Sequence, residues 1–319
     1  MMHVCIGAGV VMAALVLAAT TASAQQEPFD ALAKPSAGVN KLPEGYGLSA
    51  KYPGDRGMAK DPAAVLVEDF EQGDVNQFVP SGRWTSAGNL AGMHFVTDVP
   101  QASAGRQALE MVAVRDKDTG GFLFSRFKTG YDVLYCRFYT KWHKDNSFWR
   151  GHFVSLGGED TTSPWPMGGS IPVSRRFSTD LDCWPDNYRV PWKNHMLFYT
   201  YWHQMKTRWG TPYGPATPLE VERDRWYCFE FMLKANSAPD KYDGEQAAWV
   251  DGKPFLHYAG YNFRSSNDLK LNRLWLQFYV HDSTPEHPVH RCTFDDVVVA
   301  TQYIGPVAKA TAAKAPTKP

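Results

Sequence analysis

The chain has 319 residues, with 33 Lys and Arg against 33 Asp and Glu. A formal net charge of zero excludes a strongly basic nucleic-acid binder or an acidic solvating protein as the reading of the whole chain. Hydrophobic residues make up 44%, too many for global disorder, and 14% aromatics with 26 Gly and 22 Pro argue for a turn-rich β protein over a helical bundle.

The N-terminus reads as an address. Val4 to Ala19 is almost wholly apolar and runs into the small residues Thr20-Thr21-Ala22-Ser23-Ala24. This is the pattern of a secretory signal peptide cleaved after Ala24, although the segment before it carries His3 and no Lys or Arg. The apolar run is shorter than the ~20 residues that span a bilayer, so a secreted or periplasmic protein is expected, with no membrane contact after cleavage. Cys136, Cys183, Cys228 and Cys292 remain in the mature chain. They allow one or two disulfides in an oxidising compartment, or buried thiols. Residues 25–60, rich in Pro, Gly, Ala and Lys, read as an arm that packs on the surface or stays mobile. Residues 307–319 read as a disordered tail, leaving residues 61–306 as one domain.

Alternation within that domain predicts strands at Val65–Phe70, Ala108–Val114, Gly121–Phe127, Leu134–His143, His152–Leu156, Met196–Gln204, Trp226–Lys234, Gln246–Val250, Arg273–His281 and Cys292–Ala300. Asp251-Gly252 between two apolar runs is a short hairpin signal. Gly157 to Pro191 reads as one long loop, with Trp165 and Trp184 as sugar platforms. The expected fold is all-β, two packed antiparallel sheets.

Three motifs carry a resemblance. Val67-Glu68-Asp69-Phe70-Glu71, Trp249-Val250-Asp251-Gly252-Lys253 and Phe294-Asp295-Asp296-Val297-Val298-Val299-Ala300-Thr301 resemble secreted bacterial proteins with a concanavalin A-like jelly-roll β-sandwich. The region from Tyr46 to Pro306 is similar to that group, which includes alginate-type polysaccharide lyases, glucanases and carbohydrate-binding modules. Gln277, Tyr279 and His281 resemble the Gln-x-His and Tyr elements of the lyases in altered order. The Arg-x-Glu-x-Arg strand of those enzymes is absent from this sequence.

Alternate strand residues share a face. Pooling the polar rows onto one sheet collects Arg137, Tyr139, Lys141, Arg150, His152, Tyr199, Tyr201, His203, Glu230, Trp275, Gln277, Tyr279 and His281. Aromatic rings stack on sugar rings, and Arg or Lys meets carboxylates through charge-assisted bonds, so an acidic polysaccharide is the expected partner and nucleic acid is not. The alternative is an outer sheet covered by loops, its tyrosines partly buried. β-Elimination needs a carboxylate neutraliser, a base and an acid. The candidates are Arg137, Arg150 or Gln277 for the first, His203 or His152 for the second, and Tyr201 or Tyr279 for the third. His281, Tyr199, Tyr139, Lys141, Trp275 and Glu230 are the expected substrate contacts.

A glycoside hydrolase would need two carboxylates ~5–9.5 Å apart, and neither Glu-x-Asp-x-Glu nor Glu-x-Asp-x-x-Glu occurs. A non-catalytic glycan-binding protein is the other alternative. No cofactor is required for the expected elimination. His152, His203 and His281 would offer zinc or copper ligands if their strands were neighbours. Glu68, Asp69, Asp295 and Asp296 would suit a structural calcium if the first and last strands meet, and otherwise read as charges on a solvated edge. The chain is expected to be a monomer.

Overall fold

The computed structural model describes residues 34–35, 41–147, 151–160, 174–184, 195–205, 208–281, 283 and 285–309. The signal segment, Arg150 and Trp165 lie outside the described residues, as do residues 310–319. Among the described residues the strands are β1 Lys34–Pro35, β2 Ala64–Glu68, β3 Ser86–Gly88, β4 Met93–Val96, β5 Ala108–Val114, β6 Gly120–Tyr131, β7 Val133–Trp142, β8 Gly151–Glu159, β9 Arg176–Trp184, β10 His195–Tyr201, β11 Thr211–Tyr213, β12 Tyr227–Lys234, β13 Gly244–Val250, β14 Lys253–Tyr261, β15 Leu271–Val280 and β16 Val289–Ala300. Every pairing between them is antiparallel.

They form two sheets. Sheet A has the order β1-β14-β13-β12-β7-β16-β5-β4, with β2 also on β16, and sheet B the order β11-β10-β9-β8-β15-β6-β3. These are the two antiparallel layers expected from the alternation, in the jelly-roll form that the resemblance implies. One expectation fails inside it: the long loop at Gly157 to Pro191 contains the whole of β9 and the end of β8, so Gly157 and Gly158 are strand residues. The mixed row Arg176-Phe177-Ser178-Thr179-Asp180-Leu181-Asp182 has polar residues on both faces, which hides the period of two.

The inner faces meet in an aromatic core. Phe138 of sheet A packs within 5.7–6.5 Å, ring to ring, of Phe153, Phe229, Phe231 and Phe294. A buried polar chain crosses between the layers beside it. The Thr179 and Thr200 hydroxyls are 3.0 Å apart, Thr200 donates to Gln246 Oε1, and Gln246 Nε2 donates to the Tyr261 hydroxyl. Since every member has a partner, the chain costs little and fixes how the sheets face each other.

The four mature cysteines are free and buried, Cys136 and Cys292 with no exposed surface. Of the two alternatives the structure has the buried thiols, whose protonated form burial favours.

The outer face of sheet A is covered by both ends of the described chain. Residues 47–49 donate to the carbonyls of Tyr303 and Ile304, and Gly45 donates to Gly252. The turn at Asp251 and Gly252 has positive φ at both positions, and a Cβ on Gly252 would lie 3.1 Å from the Pro306 ring. Leu48, Met58, Ile304, Val307 and Ala308 are buried. The packed domain therefore begins well before residue 61 and includes Val307 and Ala308.

This cover corrects four site expectations. Arg137, Tyr139, Lys141 and Glu230 lie on β7 and β12 of sheet A, across the core from the strands that carry the other candidates. The fully buried Arg137 pairs with Asp55 of the arm. Tyr139 accepts the Val307 N–H at 3.0 Å, and Lys141 pairs with Asp98 and Asp224. Glu230 accepts the N–H groups of Ile304 and Gly305 at 2.8 and 2.7 Å. Arg137, Tyr139 and Glu230 pin down the chain ends, and Lys141 ties β7 to the loops that carry Asp98 and Asp224.

Burial pushes the Glu230 carboxyl up to about 7, against the pull of those amides and Arg137. Because the folded state holds this proton more tightly than the unfolded chain, its contribution is full below the ordinary carboxylate range and is lost as pH rises toward 7. Glu230→Gln does not titrate. The wild-type advantage over Glu230→Gln in urea unfolding is expected to shrink by on the order of 2 kcal/mol between pH 4.5 and pH 8.

Candidate functional site

The outer face of sheet B gathers the remaining candidates. Register places Tyr199 opposite Asp180, Asp180 opposite Ser155, and Ser155 opposite Trp275. Tyr279 stands opposite His152, and Arg273 lies between Gly157 of β8 and Arg126 of β6. Leu274, Leu276, Phe278 and Val280 fill the core, so Arg273, Trp275, Gln277 and Tyr279 face out. β8 breaks its alternation: Phe153 and Val154 both pack into the core, and the β15–β8 ladder slips by one residue between Leu276 and Tyr279. His152 therefore faces out with Ser155, although it is two positions from the inward Val154.

The centre of this face is His152. Its Nδ1 lies 3.2 Å from Asp182 Oδ2 and 3.3 Å from Asp180 Oδ2. Asp182 is fully buried, and its other oxygen accepts the Phe153 N–H at 2.8 Å. The imidazole stacks on Tyr279 at 5.9 Å and leans on Tyr199 at 5.3 Å. Burial alone would lower its basicity, but the bonds to Asp180 and Asp182 outweigh that and hold it well above the usual histidine range. Burial raises Asp182 to about 6 despite His152. The His152 side chain is 36% exposed, so its imidazole reaches the surface of this face.

Along the strands from His152 the face becomes an ion-pair ladder. Arg273 donates to Ser155 Oγ at 3.1 Å and lies 3.4 Å from Glu159, which also pairs with Arg126. The Arg176 guanidinium sits 4.1 Å over the Tyr201 ring. Tyr201 donates to the Tyr199 hydroxyl at 3.4 Å, and both rings lie under Gly210, where a Cβ would come within 2.9 Å of each. Burial, then Tyr201, keeps Tyr199 protonated far above the ordinary phenol range.

The expected site residues thus separate. His152, Tyr199, Tyr201, Trp275, Gln277 and Tyr279 share the outer face of sheet B. Tyr201, expected as a proton donor, is 3% exposed beneath Gly210, which removes it from contact with a polymer. His152, Tyr279 and Trp275 keep partly exposed surface. His281 is exposed just past β15, 6.3 Å from the Tyr279 ring. His203 lies in the turn after β10, its N–H bonded to Phe263, so it does not extend the strand row. Trp184 is buried against Tyr199 at 5.0 Å, closing the end of the face. Asp180, Asp182, Arg176, Arg273 and Ser155 were missed. The first three fall in the stretch whose sequence reads as a loop, and Arg273 reads only as the start of a strand.

The carboxylates proposed for calcium do not converge as a set of four. β2 does pair with β16, with Glu68 opposite Val297. Glu68, however, accepts the Trp84 Nε1–H and Arg83. Asp69 accepts the Glu71 N–H. Asp295 and Asp296 sit at a bulge, Asp296 with φ 46, and burial with mutual repulsion pushes Asp295 up to about 9. Nor do three histidines meet. Among the described residues the group of His, Cys, Asp or Glu with three ligand atoms within 4.8 Å of one another is His152, Asp180 and Asp182.

No protein-family model and no curated protein matches the chain. Solved structures do share the fold. The alginate lyase Aly36B, as a mutant in complex with alginate tetrasaccharide, superposes with a TM-score of 0.57 at 10% identity, covering 76% of this chain and 98% of its own. A Chlorella virus alginate lyase gives 0.55 at 12% identity, covering 75% and 100%. A PL-14 alginate lyase from Aplysia kurodai gives 0.56 at 14%, covering 75% and 99%. At these identities the likeness establishes the jelly-roll fold.

Removing Asp182 strands the Phe153 N–H and one side of His152 in a buried place. Asp182→Ala is expected to lower unfolding free energy by about 2–3 kcal/mol in urea titration, and Asp182→Asn, which keeps an acceptor for that amide, by less.

Proposed function

We propose that the chain is an exported polysaccharide lyase that cleaves a uronate-containing polymer by β-elimination on the outer face of sheet B. The observation that carries this is the partly exposed His152 stacked on Tyr279 at the outer face of sheet B. In this reading His152 holds the uronate carboxylate and stabilises the charge that grows on it as the adjacent C–H loses its proton. Tyr279 is the exposed phenol within reach of a bound sugar. Entering the step as its phenolate, it takes that proton and then gives it to the leaving glycosidic oxygen as the C–O bond breaks, leaving a carbon–carbon double bond conjugated to the carboxylate. Trp275 offers a partly exposed ring for a sugar face. The fold shared with alginate lyases supports the reading without naming the polymer.

A hydrolase fits less well. Asp180 and Asp182 are the paired acids of this face, but both are tied to one imidazole nitrogen and Asp182 has no exposed surface. They lack the separation and access that acid and nucleophile need. Glycan binding without cleavage is the competing outcome.

A panel of uronate polysaccharides, followed by ultraviolet absorbance of the unsaturated product, tests the proposal. His152→Ala and Tyr279→Phe are expected to lose at least about 100-fold in rate, while Lys141→Ala, on the opposite sheet, leaves the rate unchanged. Retention on a uronate column with no product from any polymer would replace the enzyme by a binding protein.

A structural calcium beside Asp295 and Asp296 is a separate proposal. An open cavity of about 300 Å³ is lined there by Asp55, Asp69, Glu71 and Asp296, and Asp295 and Asp296 each keep a buried oxygen without a hydrogen-bond partner. Calcium is expected to raise the melting temperature of the wild-type chain and not that of Asp296→Asn.

A further inference from the structure

Two carboxylates and an imidazole enclosed on a rigid sheet pose a charge problem that one proton solves poorly. His152 Nδ1 has one hydrogen to give, yet it stands at nearly equal distances, 3.2 and 3.3 Å, from two carboxylate oxygens. Charge-assisted N–H···O bonds settle at ~2.7–2.9 Å with the hydrogen aimed at a single acceptor. Here both contacts are long, and a straight bond to one oxygen is a bent one to the other. The same spacing is natural around a metal. Ligand atoms ~2.0–2.1 Å from a tetrahedral ion are separated by roughly 3.3 Å.

The surroundings agree. Asp180 and Asp182 are alternate residues of β9, so their carboxylates leave the same face, and His152 reaches them from β8. The second oxygen of Asp182 is held by the Phe153 N–H, the kind of outer bond that orients a ligating carboxylate. The walls are the rings of Tyr199, Tyr279 and Trp184. His152 is the partly exposed member, which leaves one side of the cluster open to a further ligand.

We propose that His152, Asp180 and Asp182 form a divalent transition-metal site of one nitrogen and two carboxylate oxygens, open on its fourth side. The donor set fits zinc or manganese. A ring nitrogen suits these ions better than calcium, which takes oxygen ligands in greater number. The metal would replace the proton on Nδ1, and its open position would face the same exposed surface as Tyr279, where a carboxylate or carbonyl oxygen could complete the coordination. Metal binding here does not rest on the lyase reading, and the two are separable by experiment.

The full mature chain, stripped with EDTA, is titrated with ZnCl2 and separately with MnCl2 by calorimetry, and Co2+ is added as a visible-absorption probe. One zinc per chain is expected, bound at least about 30-fold more weakly in His152→Gln and in Asp182→Asn. The cobalt spectrum of the wild type is expected to show the strong visible bands of a four-coordinate nitrogen and oxygen set, absent from His152→Gln. Circular dichroism of each variant establishes that it is folded, and Asp180→Asn serves in place of any that is not. Zinc and cobalt signals that are the same in all these variants, or no stoichiometric binding by the wild type, would overturn the site. Elimination activity that survives EDTA without bound metal would also overturn any part for the metal in the reaction while leaving the lyase reading intact. Tight zinc with no activity on any polymer would sustain the site and remove the lyase.

Discussion

A guanidinium with no water around it must be paired, and Arg137 is such a group. It projects from the outer face of sheet A, where a solvated strand would carry a freely hydrated side chain. Asp55 of the N-terminal arm meets it, and burial of the charge is tolerable only because that partner is delivered. Glu230 on the neighbouring strand plays the same part for the backbone of Ile304 and Gly305. These contacts fix the arm and the C-terminal segment across one outer face and leave His152, Tyr279 and Trp275 partly exposed on the other.

On the other face the organising element is also electrostatic. Carboxylates at alternate positions of β9 point into a row that already contains His152, and the ladder of Arg273, Glu159, Arg126 and Arg176 continues it along the strands. Charges of both signs are spent mostly on one another. What remains accessible is a small opening where His152, Tyr279 and Trp275 reach the surface. Such an arrangement favours an anionic ligand at one end and leaves the rest of the face rigid, which is what orientation of a bound polymer unit requires.

Much of the architecture was legible because most strands are cleanly two-faced. β15 alternates Leu274, Leu276, Phe278 with Trp275, Gln277, Tyr279, and β7 alternates Cys136, Phe138 with Arg137, Tyr139, so faces could be read residue by residue. Which faces belong together could not. Alternation says that Arg137 and Tyr279 each point away from a core. It is silent on whether they point away in the same direction, and pooling them placed Arg137, Tyr139, Lys141 and Glu230 on the wrong layer. Two local features hid the rest of the site. β9 carries Thr179 inward, hydrogen-bonded in the core, so its polarity is unbroken and Asp180 and Asp182 vanish into an apparent loop. In β8, Phe153 and Val154 are both inward, so counting in twos from His152 turns Ser155 the wrong way.

The cover over sheet A also has a bearing on the order in which the molecule can be completed. The strands bearing Arg137 and Glu230 leave the ribosome long before residues 301–308, which supply the amides for Glu230 and Tyr139 and the apolar lid over Trp249 and Tyr135. Until those last residues emerge, a nascent sandwich would present an unlidded layer with an acid and a phenol still wanting partners. Closure therefore waits for residues 303–304, whose carbonyls receive the amides of residues 47–49 beside the Asp251-Gly252 turn at a single seam.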